Sequence, residues 1–251
     1  MLLPDLMISV AGVTKSYDGV VVLAPTSFEV GAAQRLALVG PSGCGKSTLL
    51  RSIVGIVVPD AGTIRIGGTV LTPASANGLR LRMGYVIQDG GLFPHLTNAG
   101  NVTLLARRRG WSSARIDARI RELAQLVDVE VGLLSRYPLQ TSGGERQRVG
   151  LMRALMLDPD VLLLDEPMAA LDPMVRARLQ DDLLTVMNRL AKCVVLVTHD
   201  VAEAALFGQR IAVMKAGRIV QMGAMSELID APADPFVVEF LRAQRFIGRV
   251  A

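Results

Sequence analysis

Gly40-Pro41-Ser42-Gly43-Cys44-Gly45-Lys46-Ser47-Thr48 fits the pattern G-x-x-x-x-G-K-[ST]. The apolar run Leu36-Ala37-Leu38-Val39 before it reads as a buried strand, and Thr48-Leu49-Leu50-Arg51 after it reads as a helix. Strand, glycine loop and helix in that order make a cradle for a polyphosphate. Glycine lets backbone N–H groups close on the anion at positive φ, and the helix points the positive end of its dipole at it. On this reading Lys46 neutralises the outer phosphates and Ser47 holds Mg2+ through its hydroxyl, so the chain is expected to bind a nucleotide.

The 251 residues, 51% of them hydrophobic, can bury a sizeable core and exclude a disordered chain. Mean hydropathy is high at +0.40, yet no apolar run approaches the roughly 18 residues a spanning helix needs. The expected protein is soluble but sticky, and peripheral to a membrane. Met1-Leu2-Leu3-Pro4-Asp5 has neither a basic segment nor a small-residue cleavage site, which argues against a secretory leader and for the cytoplasm. Two cysteines, Cys44 and Cys193, make neither a disulfide framework nor a metal site. A net charge of +4 permits an anionic partner without requiring one. The densest basic run, Arg107-Arg108-Arg109, has no interleaved aromatics and reads as a solvated helix end, so no nucleic acid is expected.

Residues 6 to 35 read as a β-rich lobe, with strands near Met7-Ser9-Ala11, Val20 to Leu23 and Ser27 to Val30 around a turn at Lys15 to Gly19. Tyr17 beside that turn is an aromatic that could stack on a base or merely pack. A helix to about Val54, a turn at Pro59 to Gly62, a strand at Thr63 to Ile66 and a strand from Met83 ending in Gln88 follow. From Asn98 to about Leu134 the pattern is helical, with Ile116, Ile120, Leu123 and Val127 on one face after the N-cap pair Ser112-Ser113. Thr141-Ser142-Gly143-Gly144 opens a further helix, broken at Asp158-Pro159-Asp160. Val161 to Leu164 is a buried strand ending in Asp165-Glu166, and two acids there are costly unless they meet a cation or do chemistry. Asp172-Pro173 caps a helix striped by Val175, Leu179, Leu183, Val186 and Leu190. Val194 to Val197 delivers Thr198-His199-Asp200, a hairpin turns at Ala216-Gly217, and a helix from about Ala233 to Phe246 ends the chain. No internal repeat, linker or low-complexity segment is visible.

Strands carrying functional residues at their carboxyl ends, with helices between, imply a mainly parallel sheet with its ligand at that edge. Lys46, Ser47 and Asp165 then handle phosphate and magnesium, Glu166 polarises an attacking water, and His199 steadies the γ-phosphate or that water. With these residues in this order, the sequence resembles the ATP-binding subunits of ABC transporters over nearly its whole length. The resemblance implies an α/β P-loop NTPase of ABC type, with a mainly parallel core, an antiparallel β lobe and an inserted helical lobe at about 98–157. The whole of 1–251 would be a single ATPase domain with no separate regulatory domain. Tyr17 matches the adenine-stacking aromatic, Gly40 to Thr48 (through Pro41, Ser42, Gly43, Cys44, Gly45, Lys46 and Ser47) the Walker A loop, and Gln88 the loop residue that senses magnesium and the transmembrane partner. Ser142-Gly143-Gly144-Glu145 matches the ABC signature, Val161 to Asp165 the Walker B strand, Glu166 the catalytic base, Ala170-Leu171-Asp172 the D-loop, and His199 the switch histidine.

Two positions depart from the family pattern: Thr141 stands where leucine is usual, and Glu145 where glutamine is usual. The resemblance further implies ATP and Mg2+ as ligands, hydrolysis coupled to transport, and a second ATPase subunit, most simply a copy of this chain, so that Walker A of one faces the signature of the other. It implies transmembrane permease subunits, an extracytoplasmic solute-binding protein as an indirect partner, and a place on the cytoplasmic face of the inner membrane. Ile87 to Thr97, Gly110-Trp111 and Pro232 to Val237 look like importers of osmoprotectants such as glycine betaine, choline or carnitine. An importer of another small polar solute is the alternative. Rival readings are a soluble ABC ATPase acting on ribosomes or DNA, disfavoured by the single core; a P-loop kinase or GTPase, disfavoured by the Ser-Gly-Gly opener; and a binding-only regulatory subunit, disfavoured by Glu166.

Overall fold

The computed structural model describes residues 6–169 and 171–244. The readings placed on Met1 to Asp5, on Ala170 and on the end of the C-terminal helix at Phe246 lie outside those residues. The chain divides into two compact units, one from the residues up to Arg80 and from Cys193 onward, the other Leu81–Lys192.

The first unit begins with strands β1 (Leu6–Tyr17) and β2 (Val20–Gly31). Lys15, Ser16 and Tyr17, expected in the turn, belong to β1, and only Asp18 and Gly19 turn the chain, both at positive φ. β2 runs unbroken through Pro25. It is the edge of its sheet, where a missing N–H can face away from the ladder. β3 (Arg35–Val39) feeds the glycine loop and α1 (Lys46–Val54). β4 (Ala61–Ile66) and β5 (Thr69–Val70) complete an antiparallel sheet in the order β2-β1-β4-β5, and a short α2 (Ala76–Arg80) follows.

The second unit opens with β6 (Met83–Val86). Gln88, expected to end this strand, instead starts a 3-10 turn, Gln88–Gly91, in which Gly90 and Gly91 take φ of 73° and 55°. Helices α3 (Asn98–Arg108) and α4 (Ser113–Leu126) fill the region read as helical, with Thr97 and Ser112 as their N-caps. The expected face of α4 is turned inward, since Ile116, Leu123 and Val127 are buried, while Arg107, Arg108 and Arg109 are exposed. Then come α5 (Gly143–Leu155), β7 (Val161–Asp165) and α6 (Pro173–Leu190). β7 pairs with β6 in parallel.

The chain returns to the first unit with β8 (Cys193–Val197), α7 (Val201–Phe207), β9 (Arg210–Lys215), β10 (Arg218–Gly223), α8 (Met225–Asp230) and α9 (Pro235–Ala243). β3 runs parallel to both β8 and β9, and β10 folds back on β9. Every residue of β7 and β8 is buried, as expected for parallel strands covered on both faces. Each such Leu or Val contributes roughly 1.5–3 kcal/mol by leaving water. No helix among the described residues is long and apolar enough to cross a membrane.

Candidate functional site

The glycine loop is held by its own backbone. Gly40, Gly43 and Gly45 take φ of 153°, 77° and 101°, and Gly45 is the N-cap of α1. A Cβ on Gly40 would meet the carbonyl oxygen of Met214, and one on Gly45 would lie 2.7 Å from that of Val22, so neither position accepts a side chain without moving backbone. Lys46 is only 5% exposed. Its ammonium donates to the carbonyls of Gly40 (2.8 Å) and Pro41 (3.0 Å) and lies 3.9 Å from Cys44 Sγ. A buried ammonium needs such acceptors, and these hold it inside the loop, where an incoming polyphosphate would find it. Burial pushes the Cys44 thiol up, against the opposing pull of Lys46. Pro41 and Ser42 are exposed at the loop's outer face, and Ser47 and Thr48 are half-buried in the first turn of α1.

Tyr17, 45% exposed, closes β1. Lys15 Nζ lies 5.3 Å from its ring centre and 2.6 Å from Asp60 Oδ1, while Asp60 Oδ2 accepts the Ser16 N–H at 2.6 Å. The Lys15 hydrogen bond, with that of Ser16, holds the Asp60 carboxyl below the usual range. His199 is exposed between β8 and α7. The residues on either side are fixed: Thr198 Oγ1 donates to Glu203 Oε2 at 2.6 Å, and Asp200 Oδ1 caps α7 through the N–H groups of Ala202 and Glu203.

In the second unit Asp165 is 5% exposed, and Tyr85 donates to its Oδ2 at 3.2 Å. Glu166 takes a φ of 47°, which a non-glycine residue adopts only at a cost. It lines a cavity of about 30 Å³ together with Gly143, Gln147 and Leu171, so the end of β7 and the start of α5 meet there. Ser142 is the N-cap of α5 in a full capping box: its Oγ accepts the Glu145 N–H at 3.3 Å, and Glu145 Oε2 accepts the Ser142 N–H at 2.7 Å. Those bonds from Ser142, aided by Arg136 and Arg148, hold the Glu145 carboxyl below its ordinary value. The two signature glycines are packing positions: a Cβ on Gly143 would lie 3.0 Å from Leu171 Cδ2, and one on Gly144 2.6 Å from Val175 Cγ1. Thr141 is buried where leucine was expected, its hydroxyl satisfied by the Pro138 carbonyl at 2.7 Å. Asp172 caps α6, accepting from Met174 and Val175, both at 3.1 Å. Gln88 is exposed at the start of its 3-10 turn.

Three supporting residues carry no motif. Gly217, in the β9–β10 turn, donates to the Cys44 carbonyl (3.1 Å) and accepts from the Ala24 N–H (3.0 Å), pinning the phosphate loop to β2. Asn101 bonds both backbone groups of Phe93, at 2.7 Å and 3.0 Å, and shapes the segment after Gln88. Arg153 of α5 donates to the carbonyls of Gly90 and Gly91, both at 2.8 Å, and its burial lowers its basicity. Only the hairpin glycine had a signal in the sequence, as a turn.

A family model described as ABC transporter matches residues 23–169. The Fe(3+) ions import ATP-binding protein FbpC 1 of Rhodococcus jostii is 45% identical over 93% of this chain and 67% of its own length. The choline transport ATP-binding protein OpuBA of Bacillus subtilis is 39% identical over 96% of this chain and 64% of its own. The chain thus spans about two thirds of the length of these relatives. Among solved structures, a dimeric post-hydrolysis state of the ATP-binding cassette MJ0796 bound to ADP and Pi superposes with a TM-score of 0.79 at 30% identity, covering 87% of this chain and 99% of that one.

Proposed function

Because the chain belongs to the ABC transporter family and is an ATPase of that family, we propose that it powers import of a small solute by closing on ATP as a head-to-tail dimer. The observation that carries this reading is a pair of helix starts suited to an anion: α1 behind the loop that buries Lys46, and α5 behind Ser142 with its two packed glycines. A P-loop kinase or GTPase needs only the first of these.

The residues take the following parts. Tyr17 stacks on adenine, the N–H groups of Gly40 to Thr48 and Lys46 take the phosphates, and Ser142 to Glu145 meets the γ-phosphate held by a second copy. Ser47, Asp165 and Gln88 all offer oxygen, which suits Mg2+; they would hold it, and the ion would supply charge neutralisation to the phosphates. Glu166 accepts the proton of the attacking water, His199 steadies the γ-phosphate, and Asp172 sits at the subunit boundary. The whole chain then works as one ATPase domain with a helical lobe near 98–157. That lobe and the segment from Gln88 to Pro94 pass the closure to transmembrane permease subunits at the cytoplasmic face of the membrane. An extracytoplasmic solute-binding protein would complete the system. An osmoprotectant is our choice of solute, on the stretches Ile87 to Thr97 and Pro232 to Val237, although the comparably similar relatives include one named for ferric iron as well as one named for choline.

The test begins with Mg2+-dependent hydrolysis by the purified chain and by Glu166→Gln. Loss of a general base costs about 10²–10⁴ in turnover, so the variant should bind ATP and turn it over at least about a hundredfold more slowly. Wild-type turnover by the variant would remove Glu166 from that role. Gentle solubilisation of native membranes should then bring down polytopic proteins with the tagged chain, and recovery of ribosomal or DNA-repair proteins instead would end the transport reading.

A further inference from the structure

Gln88 and the signature helix α5 lie far apart in sequence, yet side chain and backbone join them. Arg153 sends one guanidinium nitrogen to the Gly91 carbonyl and the other to the Gly90 carbonyl, each at 2.8 Å. Both acceptors lie in the 3-10 turn that Gln88 opens, and both glycines are at positive φ. Opposite them, a Cβ on Gly150 would lie 3.1 Å from Gly90 Cα and from its oxygen, so α5 and this turn touch backbone to backbone. A Cβ on Gly90 would in turn lie 2.9 Å from the Arg146 carbonyl. A forked, planar cation on two carbonyls fixes a direction as well as a distance, which lysine cannot do.

We propose that Arg153 is a positioning residue that locks the Gln88 turn to α5, so that a displacement of Gln88 and a displacement of the Ser142 end of α5 are one motion. Ser142 stands eleven residues before Arg153, about 16 Å of helix at 1.5 Å per residue. A helix is stiff over that span. Whatever pushes the Gln88 turn therefore moves the end of α5 that meets the γ-phosphate of the other copy, and closure at that end reaches back to Gln88. The lock rests on the functional reading above and adds to it the part that couples magnesium sensing to the signature.

The test is a double-mutant cycle on the full chain. Arg153→Gln should raise the Mg2+ concentration for half-maximal hydrolysis about tenfold, as loss of an outer support does at metal sites, while metal-free binding of ATP to the phosphate loop stays at the wild-type value. Adding Arg153→Gln to Gln88→Ala should produce no further rise, because the arginine acts through the glutamine. Gly150→Ala, which keeps Arg153, should reproduce the rise. In the metal-free chain, amide exchange over residues 88–92 should quicken about tenfold in Arg153→Gln while α1 stays protected. Additive rises in the cycle, equal loss of metal-free ATP binding, or unchanged exchange over 88–92 would each overturn the lock. If instead the wild-type chain hydrolyses no ATP, or Glu166→Gln matches it, the functional reading fails, and the exchange experiment still decides the lock by itself.

Discussion

Glu145 folds back onto Ser142 instead of standing at the mouth of α5 as a free negative charge. Its carboxyl is held below its ordinary value in the folded chain, so the stabilisation is present above the unfolded value near 4.5 and is lost as pH falls through the folded one. Glu145→Gln keeps the capping geometry and loses the charge. At pH 7 it should cost at most about 0.5 kcal/mol, because the group is only half-buried and solvent screens it. The melting-temperature gap between wild type and variant should close as pH is lowered below the unfolded value near 4.5. A gap that does not change with pH would mean that the carboxylate charge plays no part in the cap. The identity of Glu145 was legible as a departure from the family pattern, but the direction of its side chain was not. Arg153 was illegible altogether, since its partners lie 62 and 63 residues away in the chain. The positive φ of Glu166 is likewise a property of the turn after β7 that its residue type conceals.

The β9–β10 hairpin shows why an element can be read correctly and its purpose missed. Ala216-Gly217 announces a turn, and the turn is there, with φ of 47° and 77°. What the pattern could not say is that the turn clamps the phosphate loop, which depends on the parallel pairing of β3 with β9. Gly217→Ala would set a Cβ 2.6 Å from the Val22 carbonyl at a φ that alanine resists. The expected loss is about 2 kcal/mol, or a melting-temperature fall of about 4–8 °C, with weaker ATP binding. Gly110 shares the positive φ, at 72°, but a Cβ there meets nothing within 4 Å. Gly110→Ala should therefore lose about 1 kcal/mol and leave ATP binding unchanged; equal binding losses in the two variants would contradict the clamp. Long periodic elements such as α4 and α6, and the fully buried β7 and β8, were legible because their patterns run over several turns or fill a whole strand. α2, α7 and α8 were not, being five to seven residues long and too short for a 3.6-residue period to declare itself. Lys15 to Tyr17 was misread because one strong turn signal, Asp18-Gly19, was spread over its neighbours.

For the whole molecule, the charge arrangement predicts when two copies will associate. The chain carries a net charge of +4, and the groups proposed to meet there include the Lys46 ammonium and the positive ends of α1 and α5, but also the carboxylates of Glu145, Glu166 and Asp172. With both signs on each surface, physiological salt, with a screening length of about 8 Å, leaves little net attraction between two bare copies. A polyphosphate between them supplies the missing attraction, since each nucleotide then meets the positive groups of both copies. Association should therefore require ATP and vanish once hydrolysis has been followed by release of the phosphate. Glu166→Gln, which holds ATP without splitting it, should sediment at twice the chain mass with ATP and Mg2+, and as a monomer with ADP. Ser142→Arg in the same background should remain monomeric with ATP while still binding it, because bulk at the cap blocks the γ-phosphate contact and leaves the phosphate loop intact. Glu145→Gln should lower the ATP concentration needed for association, since it removes a negative charge from the first turn of α5. A Glu166→Gln chain that stays monomeric with saturating ATP at tens of micromolar, or that dimerises equally well with none, would show that the nucleotide is not what joins the copies.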